Sequence, residues 1–178
     1  TAAYAAQGHR VIATVRKTED MAAVQALGAQ VLQVDLANPA SVSGLAWQLD
    51  GASIDIALYV AGVWDGHAAG VPPTQQQFDA VMHSNVLGFM QALPQIAPMV
   101  QEAGGVIGAF SSGMSLLADA DESAWLYRVS KAALNMAVVS ACRQWPGLTL
   151  LALDPGWVQT EMGGASAPIT VEQSVQGL

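Results

Sequence analysis

The sequence predicts an α/β fold, a doubly wound parallel sheet with helices on both faces, in one domain over residues 1–178. Three observations lead there. Strand-like and helix-like segments alternate along the whole chain, the pattern of a parallel sheet with crossover helices. Apolar residues make up 52% of the sequence and charged residues 11%, well below the usual quarter, so the apolar surface suffices for a sizeable core and disorder is excluded. A length of 178 residues suits a single domain.

The elements read in order. Residues 2–7 form the tail of a helix stopped at Gly8. Arg10 to Val15 is a short β-branched run, a strand. Thr18 is placed to cap a helix that runs to Leu27 and ends at Gly28. Val31 to Val34 is the next strand, and Asn38-Pro39 starts a helix to about Leu49. Ile54 to Val60 is apolar apart from Asp55, as expected of a strand buried on both faces. Thr74 opens a helix, and a long one follows from Asn85 until Gly104-Gly105. Val106 to Phe110 is a strand, then comes a polar loop with Asp119, Asp121 and Glu122. Residues 124–144 form a strong helical pattern closed by Pro146-Gly147, and Leu148 to Leu153 is the last strand.

Composition excludes several classes of function. A net charge of −8 and a pI near 4.5 argue against a nucleic-acid surface, which needs clustered Lys and Arg. No stretch reaches the roughly 18 uninterrupted apolar residues of a membrane span; 86–100 comes nearest but contains Gln91, Pro94, Gln95 and Pro98. Cys142 is the sole cysteine, so a reducing compartment and a cytoplasmic location are expected. It sits in an apolar helical pattern, where packing is its ordinary role. His9 and His83 show no metal-ligand spacing. The low charge suggests a subunit interface, a homodimer or homotetramer.

The chemistry concentrates in Tyr127-Arg128-Val129-Ser130-Lys131. Residues i and i+4 of a helix share a face. A phenol titrates near pH 10 when free, and a neighbouring ammonium favours the phenolate, making the pair a usable proton donor and acceptor. Such a pair alone is weak, since chance produces it often. Ser111 and Ser112 follow a strand, where open α/β sheets bind ligands; a hydroxyl there suits a substrate carbonyl, although loop serines are the ordinary reading. Asn85 lies at a helix junction, where a cap or kink is its ordinary role. Arg16, with Lys17, follows the first strand; an Arg at such a place accommodates a 2′-phosphate, whereas an acidic residue favours NAD. Trp157 and Met162 follow the last strand, where they could line an apolar site or be plain packing; Trp64 and His67 lie in the loop after Val60, where His67 could face substrate, although a solvated loop histidine is the ordinary reading.

Taken together these residues resemble the short-chain dehydrogenase/reductase family, most of all its C-factor-like carbonyl-reductase branch. The resemblance runs over nearly the whole chain. It includes V-I-A-T-V-R at 11–16, V-D-L at 34–36, A-G at 61–62, S-N-V-L-G at 84–88, S-S at 111–112, Y-R-V-S-K-A-A-L-N at 127–135 and P-G-W-V-Q-T at 155–160, with Met162-Gly163-Gly164 beyond.

The resemblance implies a Rossmann-type fold and a hydride transfer between a nicotinamide cofactor and a carbonyl or alcohol carbon. It assigns catalysis to Asn85, Ser112, Tyr127 and Lys131. Tyr127 is the general acid/base, Lys131 lowers its pKa and holds the nicotinamide ribose, Ser112 orients the carbonyl, and Asn85 supports Lys131 through a bound water. Cofactor binding falls to Arg16, Asp35, Leu36, Ala61, Gly62, Tyr127, Lys131, Pro155, Gly156, Val158 and Thr160, with Asp35 at the adenine and Thr160 at the carboxamide. Arg16 makes NADP(H) the expected cofactor over NAD(H). The expected partner is a small carbonyl or alcohol, not nucleic acid or a membrane.

The chain also departs from the family. The family opens with a central strand and a glycine-rich turn that cradles pyrophosphate; here the sequence starts in the helix after that turn, so a natural protein longer at its N-terminus is expected. Tyr59-Val60-Ala61-Gly62 stands where the family has N-N-A-G, and the chain stops early in a helix at Leu178. A non-catalytic Rossmann-like protein that binds a nucleotide or takes part in signalling is the alternative these departures leave open.

Overall fold

A computed structural model describes residues 1–177. The chain opens with α1 (Ala2–Ala6), then β1 (Ile12–Val15), α2 (Met21–Gln25) and β2 (Gln30–Gln33). Next come α3 (Pro39–Ser43), α4 (Leu45–Gln48), β3 (Ile56–Tyr59), α5 (Gln75–Met82), α6 (Gly88–Glu102), β4 (Val106–Phe110), α7 (Trp125–Ala141), β5 (Thr149–Leu153) and α8 (Val171–Gln176). Every strand pairing is parallel, as the alternation predicts: Ala13 with Val31, Leu58 with Gly108, and Gly108 with Leu151 lie in register.

The strands form two pieces, β1-β2 and β3-β4-β5. Helix α6 joins the pieces. One core packs Phe89, Leu93, Ala97 and Val100 of α6 against Ile107 and Ala109 of β4 and Leu134 and Val138 of α7. A second packs Ala92 of α6 with Val34, Val42, Leu45 and Leu49, and with Ile12 and Leu32 from the first sheet.

Local chemistry explains most boundaries. Asn38 caps α3 by accepting from the Ala40 amide, and Pro39 takes the first turn, where its missing N–H costs nothing. Thr74 and Gln77 form a reciprocal capping box at α5.

Four expectations are corrected. Thr18 does not cap α2; it opens a single tight turn, and its hydroxyl reaches the Gln33 side chain at 3.2 Å. The helix expected from Asn38 to Leu49 breaks at Gly44 into α3 and α4. Strand β3 is not covered on both faces: Ile56, Leu58 and Val60 stay partly exposed while Ala57 and Tyr59 turn inward to the core. Cys142 is exposed, because α7 ends at Ala141 and leaves it past the packed face.

Candidate active site

The carboxyl ends of β3, β4 and β5 converge with the first half of α7. Between α5 and α6 the helix widens into a π turn over His83–Leu87, a distortion that often accompanies function. Asn85 sits in this turn, fully buried. Its carboxamide accepts from the Val63 amide at 2.7 Å and donates to the Val63 carbonyl at 3.0 Å and to Ser130 Oγ at 2.8 Å. Asn85 thereby ties the loop after β3 to α7. Tyr59 secures the turn from below, its phenol donating to the Ser84 carbonyl at 2.5 Å and its ring edge-on to Phe89. Gly88 is required there, since a Cβ would lie 2.6 Å from the Tyr59 hydroxyl.

Lys131 is 3% exposed and donates to the Phe110 carbonyl at 2.7 Å, at the end of β4. Its ammonium lies 5.5 Å from the centroid of the Tyr127 ring. Burial holds this lysine down to about 8. Gly62 faces the same group: a Cβ there would stand 3.4 Å from both Asn85 Oδ1 and Lys131 Nζ. Tyr127 and Lys131 share one face of α7, as their spacing predicts, and Gly62 lies beside both Asn85 and Lys131.

Ser111 and Ser112 separate in role. Ser111 is buried and donates to Asn135 Oδ1 at 2.6 Å, in a chain that continues through Asn135 to Ser115 and on to the Ser112 carbonyl. Ser112 accepts from the Met114 amide. Burial pushes the Tyr127 phenol above its ordinary value; the Ser112 hydroxyl pulls it back, and the Asp154 carboxylate pushes it up again. The direction is opposite to the one expected from the Lys131 ammonium, because desolvation of the phenolate is the largest influence on it.

The remaining residues ring this centre. Gly156 has φ +77, a conformation suited to glycine, and Val158 bridges to Ile169. Thr160 accepts from the Gly163 amide at 3.0 Å, while Trp157 donates to the Gly163 carbonyl at 2.8 Å. Pro155 accepts from Ser174 at the end of the chain. Farther off, Asp35 accepts from the Ala37 amide, and Leu36 lies under Gly88. Arg16 is exposed at the end of β1, on the other sheet.

Three participants were not singled out in the sequence. Ser130 links Asn85 to the Tyr127 carbonyl; its position three residues after Tyr127 was a usable signal. Asp154 had no such signal. Trp64, a loop residue with no assigned part, lies against Tyr127 with ring centroids 4.7 Å apart. Its loop is pinned to the start of α7, where the Trp125 amide donates to the His67 carbonyl, and Asp65 holds His67 at 3.1 Å. Among the described residues no cluster of His, Cys, Asp and Glu could hold a metal ion.

Comparison with known proteins agrees with this geometry. The family described as enoyl-(acyl carrier protein) reductase matches residues 1–175. The 1-hydroxy-2-glutathionyl-2-methyl-3-butene dehydrogenase of Rhodococcus sp. (strain AD45) is 30% identical over 158 residues, covering 82% of this chain and 67% of the relative. The C-signal protein of Myxococcus xanthus is 48% identical over 66 residues, 36% of this chain and 40% of that protein. Among solved structures, one described as a short-chain dehydrogenase/reductase from Burkholderia multivorans with bound NADP superposes with a TM-score of 0.89 at 30% identity. It matches 99% of this chain, which spans 80% of its length. The carbonyl reductase Sniffer of D. melanogaster, 24% identical with a TM-score of 0.84, shares the fold. The chain belongs to the short-chain dehydrogenase/reductase family.

Proposed function

We propose that this chain carries the core of an NADP(H)-dependent oxidoreductase that interconverts small carbonyl compounds and alcohols, with Tyr127 as general acid/base. The observation that carries this reading is the meeting of Tyr127, Ser112 and Lys131 at the ends of β3 and β4, with Lys131 5.5 Å from the Tyr127 ring. A buried phenol with a serine hydroxyl near it suits proton transfer to a carbonyl oxygen.

The residues present fit a nicotinamide dinucleotide. Lys131 is a buried ammonium with a single acceptor among the described residues, the Phe110 carbonyl; its other N–H groups suit ribose hydroxyls. Gly62 leaves open the space a Cβ would occupy beside it. Asp35, Leu36 and Ala61 would line the adenine side, and Pro155, Gly156, Val158 and Thr160 the carboxamide side. Arg16 would meet a 2′-phosphate, the basis for NADP(H) over NAD(H); the Burkholderia multivorans relative binds NADP. When bound, the cofactor supplies or accepts a hydride at the carbonyl carbon.

The chain's own residues do the rest. Ser112 orients the carbonyl oxygen, and Tyr127 Oη delivers the proton to it. Lys131 stabilises the phenolate left behind. Asn85 fixes Val63 and Ser130, and through them the approach of the loop after β3 to α7. Exposed Trp157 and Met162 supply apolar contacts for a substrate of modest size. Self-association as a homodimer or homotetramer is supported by the apolar stripe of Val129, Met136 and Val139, all more than half exposed on α7.

The test is a titration with NADPH and, in parallel, NADH, followed by tryptophan fluorescence, and then addition of carbonyl substrates. Tighter binding of NADPH and its consumption on carbonyl addition are expected. Binding without consumption across a broad panel of aldehydes and ketones would support a non-catalytic nucleotide-binding protein instead.

A further inference from the structure

Asp154 stands immediately after β5 and before Pro155-Gly156. Each carboxylate oxygen has its own partner. Oδ1 accepts from the Gly156 amide at 3.0 Å, and Oδ2 accepts from the Gly113 amide at 3.0 Å. The first bond closes the turn that sets Gly156 at φ +77. The second crosses to the loop after β4, to the residue beside Ser112. With Ser111, Ser112 and Asn135, Asp154 also lines a cavity of about 170 Å³ at these strand ends.

We propose that Asp154 is a positioning residue of the active site: its carboxylate clasps the loop bearing Ser112 to the loop bearing Gly156 and sets a negative charge within electrostatic reach of Tyr127. This rests on the reading of Tyr127 as general acid/base. The geometry supports the clasp, because a carboxylate accepts in two directions at once, whereas an asparagine at 154 would present an N–H₂ to one of the two amides. The charge follows from the same placement. It opposes ionisation of the phenol, in the same sense as burial does.

Among the groups described around Tyr127, Lys131 acts against it and the others are neutral or turned elsewhere. Ser112, after β4, is neutral, and so is Trp64, after β3. On the same loop as Trp64, Asp65 and His67 are turned to each other. On α7, Arg128 is turned away to Asp121 at 2.7 Å and to three backbone carbonyls. Among the described residues Lys131 is the cation facing the ring, and its bond to Phe110 holds it there. The phenol is thus set between one cation and one anion; burial is the main hold on its proton, and the Asp154 charge adds to it in the same direction.

A consequence concerns direction. Carbonyl reduction needs the protonated phenol: the C=O π bond breaks, carbon takes the hydride from the reduced nicotinamide, and oxygen takes the Tyr127 proton. Alcohol oxidation needs the phenolate to accept the hydroxyl proton. Asp154 therefore acts in the same sense as burial, toward the protonated form that reduction needs, and its influence is read on the alkaline side of the pH profile.

The test compares the wild type with Asp154→Asn and Asp154→Glu. Two readouts are taken: the pH profile of NADPH-dependent carbonyl reduction, and the ionisation of Tyr127 as the tyrosinate absorbance difference between each protein and its Tyr127→Phe partner. In D154N both the alkaline fall of reductase activity and the Tyr127 ionisation should move to lower pH by about 0.5–1 unit, the size of a single partly screened charge interaction. Glu at 154 should restore most of that displacement. Unchanged ionisation in D154N, or a displacement that D154E leaves in place, would overturn the proposal. If no variant consumes NADPH, the oxidoreductase reading fails, and the absorbance titration still decides the role of Asp154.

Discussion

Replacing Asn85 by Ala tests the centre of the architecture. The carboxamide is fully buried and satisfies three groups: the Val63 amide at 2.7 Å, the Val63 carbonyl at 3.0 Å and Ser130 Oγ at 2.8 Å. Ser130 keeps its own bond to the Tyr127 carbonyl at 2.7 Å, so its loss is small. The two Val63 groups are left without partners, and an orphaned buried polar group costs about 1–3 kcal/mol. With the void left by the missing atoms, N85A should lose roughly 3–5 kcal/mol. For a domain of this size that lowers Tm by roughly 6–20 °C. Ser130→Ala is the control. It removes one acceptor from Asn85, whose Nδ2 still reaches the Val63 carbonyl, so about 1 kcal/mol or less is expected. Thermal unfolding followed by circular dichroism reads the first quantity, and hydrogen exchange at the Val63 amide localises it. An N85A protein that melts within a degree or two of wild type, with Val63 exchange unchanged, would refute the reasoning.

Other perturbations follow from the same geometry. Lys131 has a folded-state pKa of about 8, below its ordinary 10.5. Between these values the unfolded chain binds more protons, so stability rises with pH; below 8 the buried charge carries its full cost. Lys131→Met should therefore raise stability at pH 7 by about 1–2 kcal/mol, after the loss from the orphaned Phe110 carbonyl, and the gain should fade between pH 8 and 10.5. Melting curves across that range check it; a gain independent of pH would contradict it. Gly163→Ala would set a Cβ 2.0 Å from the Val158 carbonyl oxygen, opening the turn that carries Trp157 and Thr160. A loss of about 1–3 kcal/mol and a raised KM for the carbonyl substrate are expected, read by melting and steady-state kinetics. Arg16→Glu should weaken NADPH binding about tenfold or more while NADH binding moves far less, since only the 2′-phosphate meets that side chain; fluorescence titration reads both.

Much of the fold was legible because local chemistry and long-range packing agree here. Alternating β-branched strands and capped helices set the order of elements, and Asn38-Pro39, Thr74 and Gly28 behave as their side chains dictate. Disagreements arise where a distant partner wins. Thr18 is drawn to Gln33, fifteen residues away, instead of the amides beside it. Ile56, Leu58 and Val60 read as doubly buried because hydrophobicity does not reveal which sheet face is left open. In the site, the Tyr127–Lys131 spacing was readable because both lie on one helix. The contact of Trp64 with Tyr127 and the clasp of Asp154 on Gly113 were not, since each joins segments that follow different strands. The π turn at Asn85 was also hidden: its sequence reads as continuous helix, and the turn is held by Tyr59 from another element.

The most direct test of the central claim is NADPH consumption at 340 nm with a panel of small apolar aldehydes and ketones, run side by side on the wild type and Tyr127→Phe. The phenylalanine keeps the ring between Trp64 and Lys131 and removes the proton donor. The account predicts turnover in the wild type and a loss of at least about 100-fold in Y127F, with NADPH affinity retained. Equal turnover in the two proteins would contradict it.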